Sequence, residues 1–230
     1  MNLAYINGFN VVTLKKISDN SFPIHKEVVI CGKGFTSTKI KDSNLTDKIV
    51  CCLNSATLLV DSVDYLFMTD WERFVSLLKN EKNFSKIRNI VIPVQLQERC
   101  EPSLRFTYRD VVSSLRKYNI NLYTFSLPEH PRQIKIPSEK TDTFVLGPDK
   151  IHSTFHISLL WLIKAGFKNF TMYGISKNPE YAQLFKQLKD ESGGQFVNGR
   201  RVKTPESWFT VNFAAGVEIM DRNGCNYKFN

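Results

Sequence analysis

The sequence predicts an α/β protein with a Rossmann-like, mostly parallel sheet and flanking helices, on three observations. Short apolar runs rich in β-branched residues recur at 28–31, 49–53, 65–68, 90–94 and 122–125, separated by polar or amphipathic segments suited to crossovers. At 153–165 the chain is instead apolar nearly all round and stops at Gly166, the pattern of a buried helix. Small and polar residues follow the runs at Gly32-Lys33-Gly34, Asn54-Ser55, Thr69-Asp70 and Gly174-Ile175-Ser176, and open parallel sheets bind ligands beyond those strand ends.

The elements are expected in the following order. Residues 1–22 alternate loosely around Asn7-Gly8, which predicts a small N-terminal hairpin ahead of the main fold. The five apolar runs are the first five strands, with helices at 71–79 and 111–118 among their crossovers. Asp61 and Asp64 precede the third strand and should face away from its far end. Four prolines between 126 and 148 predict a long irregular connection. The buried helix 153–165 leads into a sixth strand at 170–175 and a helix at 179–189. A Gly-rich basic break at 192–204 reads as a lid loop. A final helix at 205–222 starts with Pro205 and ends near Gly224, before a last strand at 225–229. With 230 residues, 42% of them hydrophobic, the chain is expected to be a single domain over 1–230.

Composition narrows the function. No apolar segment approaches the roughly 20 residues of a membrane span, and the N-terminus has no signal-like core. Five cysteines without a CxxC pair suit buried thiols, so a cytoplasmic location is expected. The net charge of +9 points to an anionic partner without choosing one.

In Val28-Val-Ile-Cys-Gly-Lys-Gly-Phe-Thr-Ser-Thr38 the glycines would let the backbone approach a ligand, free amides and hydroxyls would hold phosphate oxygens, and Lys33 would add charge. A tight turn with a solvated lysine is the simpler reading. The P-loop order is missing, and Ser37 replaces the third glycine of a dinucleotide fingerprint. His152 and His156 lie four apart but lack the glutamate of HExxH and a third ligand, so no metal site is expected. His152, beside Ser153, is instead a candidate for acid/base work or phosphate contact. Asp70, at the end of the third strand, is either a nucleophilic carboxylate or a helix cap.

The order and spacing of "ICGKGFTST", "IVCCLNSA" and "HSTFHISLLWLIKAGFKNFTMYGIS" resemble the bacterial sialyltransferase-like and lipopolysaccharide-core glycosyltransferases that use CMP-activated acidic sugars such as sialic acid or Kdo. The resemblance spans about residues 28–181. It implies that Gly32, Lys33 and Gly34 approach the nucleotide, that Asn54 and Ser55 bond nucleotide or sugar, and that Ser153 and Thr154 meet a carboxylate or phosphate at a helix start. It also implies that Tyr181 gives a hydroxyl to the leaving phosphate. A strand-end turn for Asn54, an N-cap for Ser153 and a packed aromatic for Tyr181 are the structural alternatives. Two departures stand out: Ser176 occupies a position where the family often has Asp, and 198–204 has no histidine where inverting members carry their base.

Asp-x-Asp is absent. A CMP-sugar has one phosphate, so Lys33, Tyr181 and Arg200 or Arg201 could stabilise the departing charge without a metal or another cofactor. The implied partners are a CMP-sugar donor and a glycan or glycolipid acceptor, with no nucleic acid. Peripheral contact with the anionic surface of an inner membrane is compatible with the charge. A pyrophosphokinase-like enzyme using ATP and magnesium, or a non-catalytic polyanion-binding domain, are the competing readings.

Overall fold

The computed structural model describes residues 3–6, 9–15, 21–68, 84–93, 115, 117–126, 142–143, 153–178, 180–187, 195–197, 200–202 and 206–230. Its centre is a run of seven parallel strands. In chain order these are β3 (Val28–Cys31), β4 (Ile49–Leu53), β5 (Val63–Phe67), β6 (Ile87–Pro93), β7 (Asn121–Ser126), β9 (Asn169–Tyr173) and β12 (Asn226–Phe229). Their spatial order is β7-β6-β5-β4-β3-β9-β12, every neighbouring pair parallel. The strand order therefore reverses between β3 and β9.

The apolar runs predicted these strands because both faces of the sheet are covered. All of β3 and β4 is buried. Period-two alternation divides their side chains between two cores. Val29, Cys31, Val50, Cys52, Leu66 and Ile90 face one core, which also holds Ile40, Leu59, Phe84 and Phe185. Val28, Ile30, Cys51, Tyr65, Phe67 and Met172 face the other, against α1 (Thr154–Lys164) and Met220 of α3 (Glu206–Arg222). Trp161 of α1 is fully buried there, with ring centroids 5.2 Å from Tyr65, 5.2 Å from Tyr123 and 5.6 Å from Phe22. Burial pushes the Tyr65 and Tyr123 phenols up, as expected for rings in an apolar layer.

Several expectations change in detail. The N-terminal hairpin is β1 (Leu3–Ile6) with β2 (Phe9–Lys15), but it is not a separate ribbon: β2 pairs in parallel with β7 and so extends the sheet. The crossovers β3–β4 and β4–β5, where the sequence assigned no helix, carry 3₁₀ helices, Phe35–Asp42 and Asn54–Leu59. Within the long connection after β7, β8 (Asp142–Thr143) adds a two-residue parallel pairing to β7. The expected lid at 192–204 contains an antiparallel ribbon, β10 (Gln195–Val197) with β11 (Arg200–Val202), where the sequence suggested an irregular break. The helix expected at 179–189 starts later, as α2 (Gln183–Gln187), because 180–182 are not helical; residues 188–189 lie outside the described residues. Most of the helix expected at 111–118, and all of 71–79, lie outside the described residues.

The amino edge of the sheet is tied by polar groups. Asp64, which lies inside β5 rather than before it, accepts from the Val50 amide at 2.9 Å and from Arg88 at 2.9 Å. Its carbonyl accepts from Asn89 at 2.7 Å, and Asn89 accepts from Asn121 at 2.9 Å. Cys31, Cys51 and Cys52 are free and buried, as the sequence suggested, whereas Cys225 is free and half-buried. No helix among the described residues is long and apolar enough to cross a membrane.

Candidate functional site

The carboxyl edge of the sheet brings Gly32, Lys33 and Gly34 after β3, Asn54 and Ser55 after β4, and Gly174 and Ser176 after β9 into one neighbourhood. The reversal of strand order falls among them, the place where such sheets open a crevice.

Gly32-Lys33-Gly34 is already occupied by protein. The Gly32 amide donates to the Tyr173 carbonyl at 2.8 Å and the Gly34 amide to the Gly174 carbonyl at 2.9 Å, so these two amides are not free for phosphate. The side-chain-free positions are required by backbone proximity. A Cβ at Gly32 would stand 2.5 Å from Ile175 Cδ1 and 2.6 Å from the Gly174 oxygen, and one at Gly34 2.7 Å from that same oxygen. Gly174 itself has φ +66°, and its amide is held by Thr36 Oγ1 at 3.0 Å.

Lys33 is buried, 7% exposed, where the sequence suggested a solvated or phosphate-facing ammonium. Alternation along β3 turns it to the face opposite α1. Its Nζ lies 5.5 Å from the centre of the Tyr181 ring and 5.9 Å from that of Phe185. Tyr181 reaches this point because residues 180–182 lie antiparallel to 33–35. Gly34 bridges Tyr181, Phe35 N donates to Glu180 O at 3.0 Å, and Ala182 N donates to Lys33 O at 3.0 Å. Phe209 of α3 meets the Tyr181 ring edge-on at 6.3 Å.

Asn54 has a different environment. It adopts φ +53°, in the left-handed region that Asn tolerates better than most residues. Its Nδ2 donates to Thr154 Oγ1 at 3.4 Å, which brings β4's end to the first turn of α1. Its Oδ1 is buried without a hydrogen-bond partner among the described residues. Two further buried hydroxyls on the same edge, Ser37 Oγ and Thr57 Oγ1, share that condition. Thr57 follows Asn54 by three residues, a spacing that shares a face in a 3₁₀ helix, and nothing in the composition signals it.

Ser153 acts as the N-cap of α1, its Oγ accepting from the His156 amide at 3.2 Å. The His156 ring lies 2.7 Å from the Asn212 carbonyl through Nε2, so this nitrogen carries the proton and the residue joins α1 to α3. Ser55 is the second residue of the second 3₁₀ helix and is half-buried. The Ser176 hydroxyl closes a local turn onto the Asn178 carbonyl at 3.1 Å. Arg200 and Arg201 lie in β11, paired with Val197 and Phe196, away from the strand ends in sequence and with side chains outside the described residues. Asp70 and His152 also lie outside them. No group of three or more metal-ligating side chains occurs among the described residues.

No protein-family model, curated protein or solved structure matches this chain.

Proposed function

We propose that the chain is a glycosyltransferase that moves an acidic sugar, of the sialic acid or Kdo type, from a CMP-activated donor to a glycan or lipid-linked saccharide. The donor's nucleotide would lie at the carboxyl edge, beside the point where Asn54 meets the first turn of α1. The observation that carries the reading is Asn54, held at φ +53° with a buried carboxamide oxygen that no described residue satisfies. Both conditions cost free energy, and a ligand amino or hydroxyl group at Oδ1 would offset the second. The N-terminus of α1 beside it carries partial positive charge, which suits a sugar carboxylate or the single phosphate of CMP.

In the reaction the acceptor oxygen attacks the anomeric carbon and the bond from that carbon to the phosphate oxygen breaks. The electron pair leaves with CMP, and the acceptor proton passes to a base. Asp70 and His152 are the sequence's candidates for the carboxylate and acid/base roles. The proposed catalytic power lies in groups that stabilise the departing phosphate, and the sequence resemblance assigns Tyr181 to that task.

Calorimetry with CMP, CDP, UDP and ATP, with and without magnesium, tests the reading. CMP is expected to bind without metal. Asn54→Gly keeps the backbone conformation accessible and removes only the carboxamide, so it should weaken CMP about tenfold, a change of ~1.4 kcal/mol, with little shift in melting temperature. Unchanged affinity would remove Asn54 from the site. Magnesium-dependent ATP binding would favour the pyrophosphokinase, and no nucleotide binding the polyanion module.

A further inference from the structure

We propose that Lys33 is a positioning residue that acts through Tyr181, and that the Gly-Lys-Gly turn is a clamp for the Tyr181 segment rather than a phosphate-binding loop. This rests on the functional reading above, and it assigns Lys33 a role opposite to direct phosphate contact.

The clamp is visible in the backbone. The hydrogen bonds Phe35 N to Glu180 O and Ala182 N to Lys33 O, both 3.0 Å, bracket the Gly34–Tyr181 bridge on its two sides. Gly34 in turn bonds Gly174, so the ends of β3 and β9 and the Tyr181 segment meet at one junction beside the strand-order reversal. Only residues without Cβ allow this approach, because a methyl group at either glycine would fall inside 3 Å of the Gly174 oxygen. The Tyr181 backbone is thereby set relative to the carboxyl edge.

The side chain is set by Lys33 and Phe209. Phe209 meets the ring edge-on, with an interplanar angle of 80°. The Lys33 ammonium lies 5.5 Å from the ring centre in a site only 7% exposed, where attraction between a cation and an aromatic ring is stronger than in water. Positive charge beside the ring draws electron density from the phenol. Its hydroxyl then becomes a better donor to an anionic phosphate oxygen.

The test is a double-mutant cycle on ligand affinity, with two probes. Wild type, Lys33→Met, Lys33→Arg, Tyr181→Phe and the Lys33→Met/Tyr181→Phe pair are titrated with CMP and with cytidine, which lacks the phosphate. Lys33→Met and Tyr181→Phe should each weaken CMP about tenfold and leave cytidine within about twofold. The pair should be no weaker than either single variant, and Lys33→Arg, which keeps the charge, should restore most of the affinity. Equal losses for CMP and cytidine, or additive losses in the pair, would overturn the proposal while leaving the nucleotide site intact. Should Lys33→Met not fold, Lys33→Gln replaces it under the same criteria. Failure of the wild-type chain to bind CMP would overturn the functional reading and this proposal with it.

Discussion

Gly34, a candidate nucleotide contact in the sequence, has an architectural reason to be glycine. Its φ of −63° is accessible to any residue, so conformational freedom is not why glycine stands there. Space is the reason: a Cβ would lie 2.7 Å from the carbonyl oxygen of Gly174, an atom fixed by β9 and by its own bond to the Gly34 amide. A valine at this position must push β3's end away from β9 and break the bridge to Tyr181. Gly34→Val is therefore expected to lower unfolding free energy by roughly 1–3 kcal/mol, read as a shift in denaturant midpoint. An unchanged midpoint would show that the junction yields without cost. Asn54 is the contrasting residue, with φ +53° and a buried carboxamide oxygen that has no hydrogen-bond partner among the described residues.

Among elements, the joining of strands at the amino edge makes a prediction about pH. Glu27 precedes β3 and accepts from the Thr171 hydroxyl on β9, pairs with Lys48 before β4 at 3.0 Å, and faces Lys228 on β12 at 4.0 Å. The Thr171 hydrogen bond, aided by the two lysines and opposed by partial burial, lowers its pKa from the ordinary 4.5. A carboxylate depressed in the folded state contributes stability that is fully present above its unfolded pKa and lost as pH falls through the folded value. Stability should thus decline below about pH 4.5, and Glu27→Gln should reduce the part of that decline measured against pH. A wild-type and variant difference that is constant from pH 7 to pH 3 would contradict the linkage. The helical layer is held by closer contact: His156 reaches the Asn212 carbonyl, and Gly216 of α3 lies where a Cβ would meet the Phe155 ring at 2.3 Å.

For the whole molecule, the two-core arrangement puts unequal weight on a few side chains. Trp161 is wholly buried among Phe22, Tyr65, Phe67 and Tyr123, so it joins α1 to the strands and to the segment preceding β3. Trp161→Ala is expected to cost ~3–5 kcal/mol, a large share of the roughly 5–15 kcal/mol available to a domain. Its indole nitrogen is buried without a partner among the described residues. Trp161→Phe removes that unsatisfied donor as well as volume, and it should cost less than about half of the alanine penalty. Chemical denaturation of both variants checks the ranking, and equal penalties would show that a phenyl ring recovers none of the indole's packing.

The sequence by itself determined the seven strands of the central parallel run and the layered class, but not β8 or the β10–β11 ribbon. The bounds at 28–31 and 49–53 were legible because a strand buried on both faces must be apolar at every position. The helix at 154–164, its Ser153 cap and the stop at Gly166, with φ +100°, were readable because caps and stops are local requirements. Strand order, the docking of the hairpin on β7 and the use of 3₁₀ crossovers were decided only by tertiary structure, since the same alternation fits many neighbours. The same holds for the site. Gly-Lys-Gly could be seen as a turn at a strand end, but its amides are bonded to Tyr173 and Gly174 and its lysine is packed under Tyr181, some 150 residues along the chain by numbering. Close approach between distant segments leaves no periodic trace in either one, so only the folded chain could show that this turn is bonded to another part of the protein.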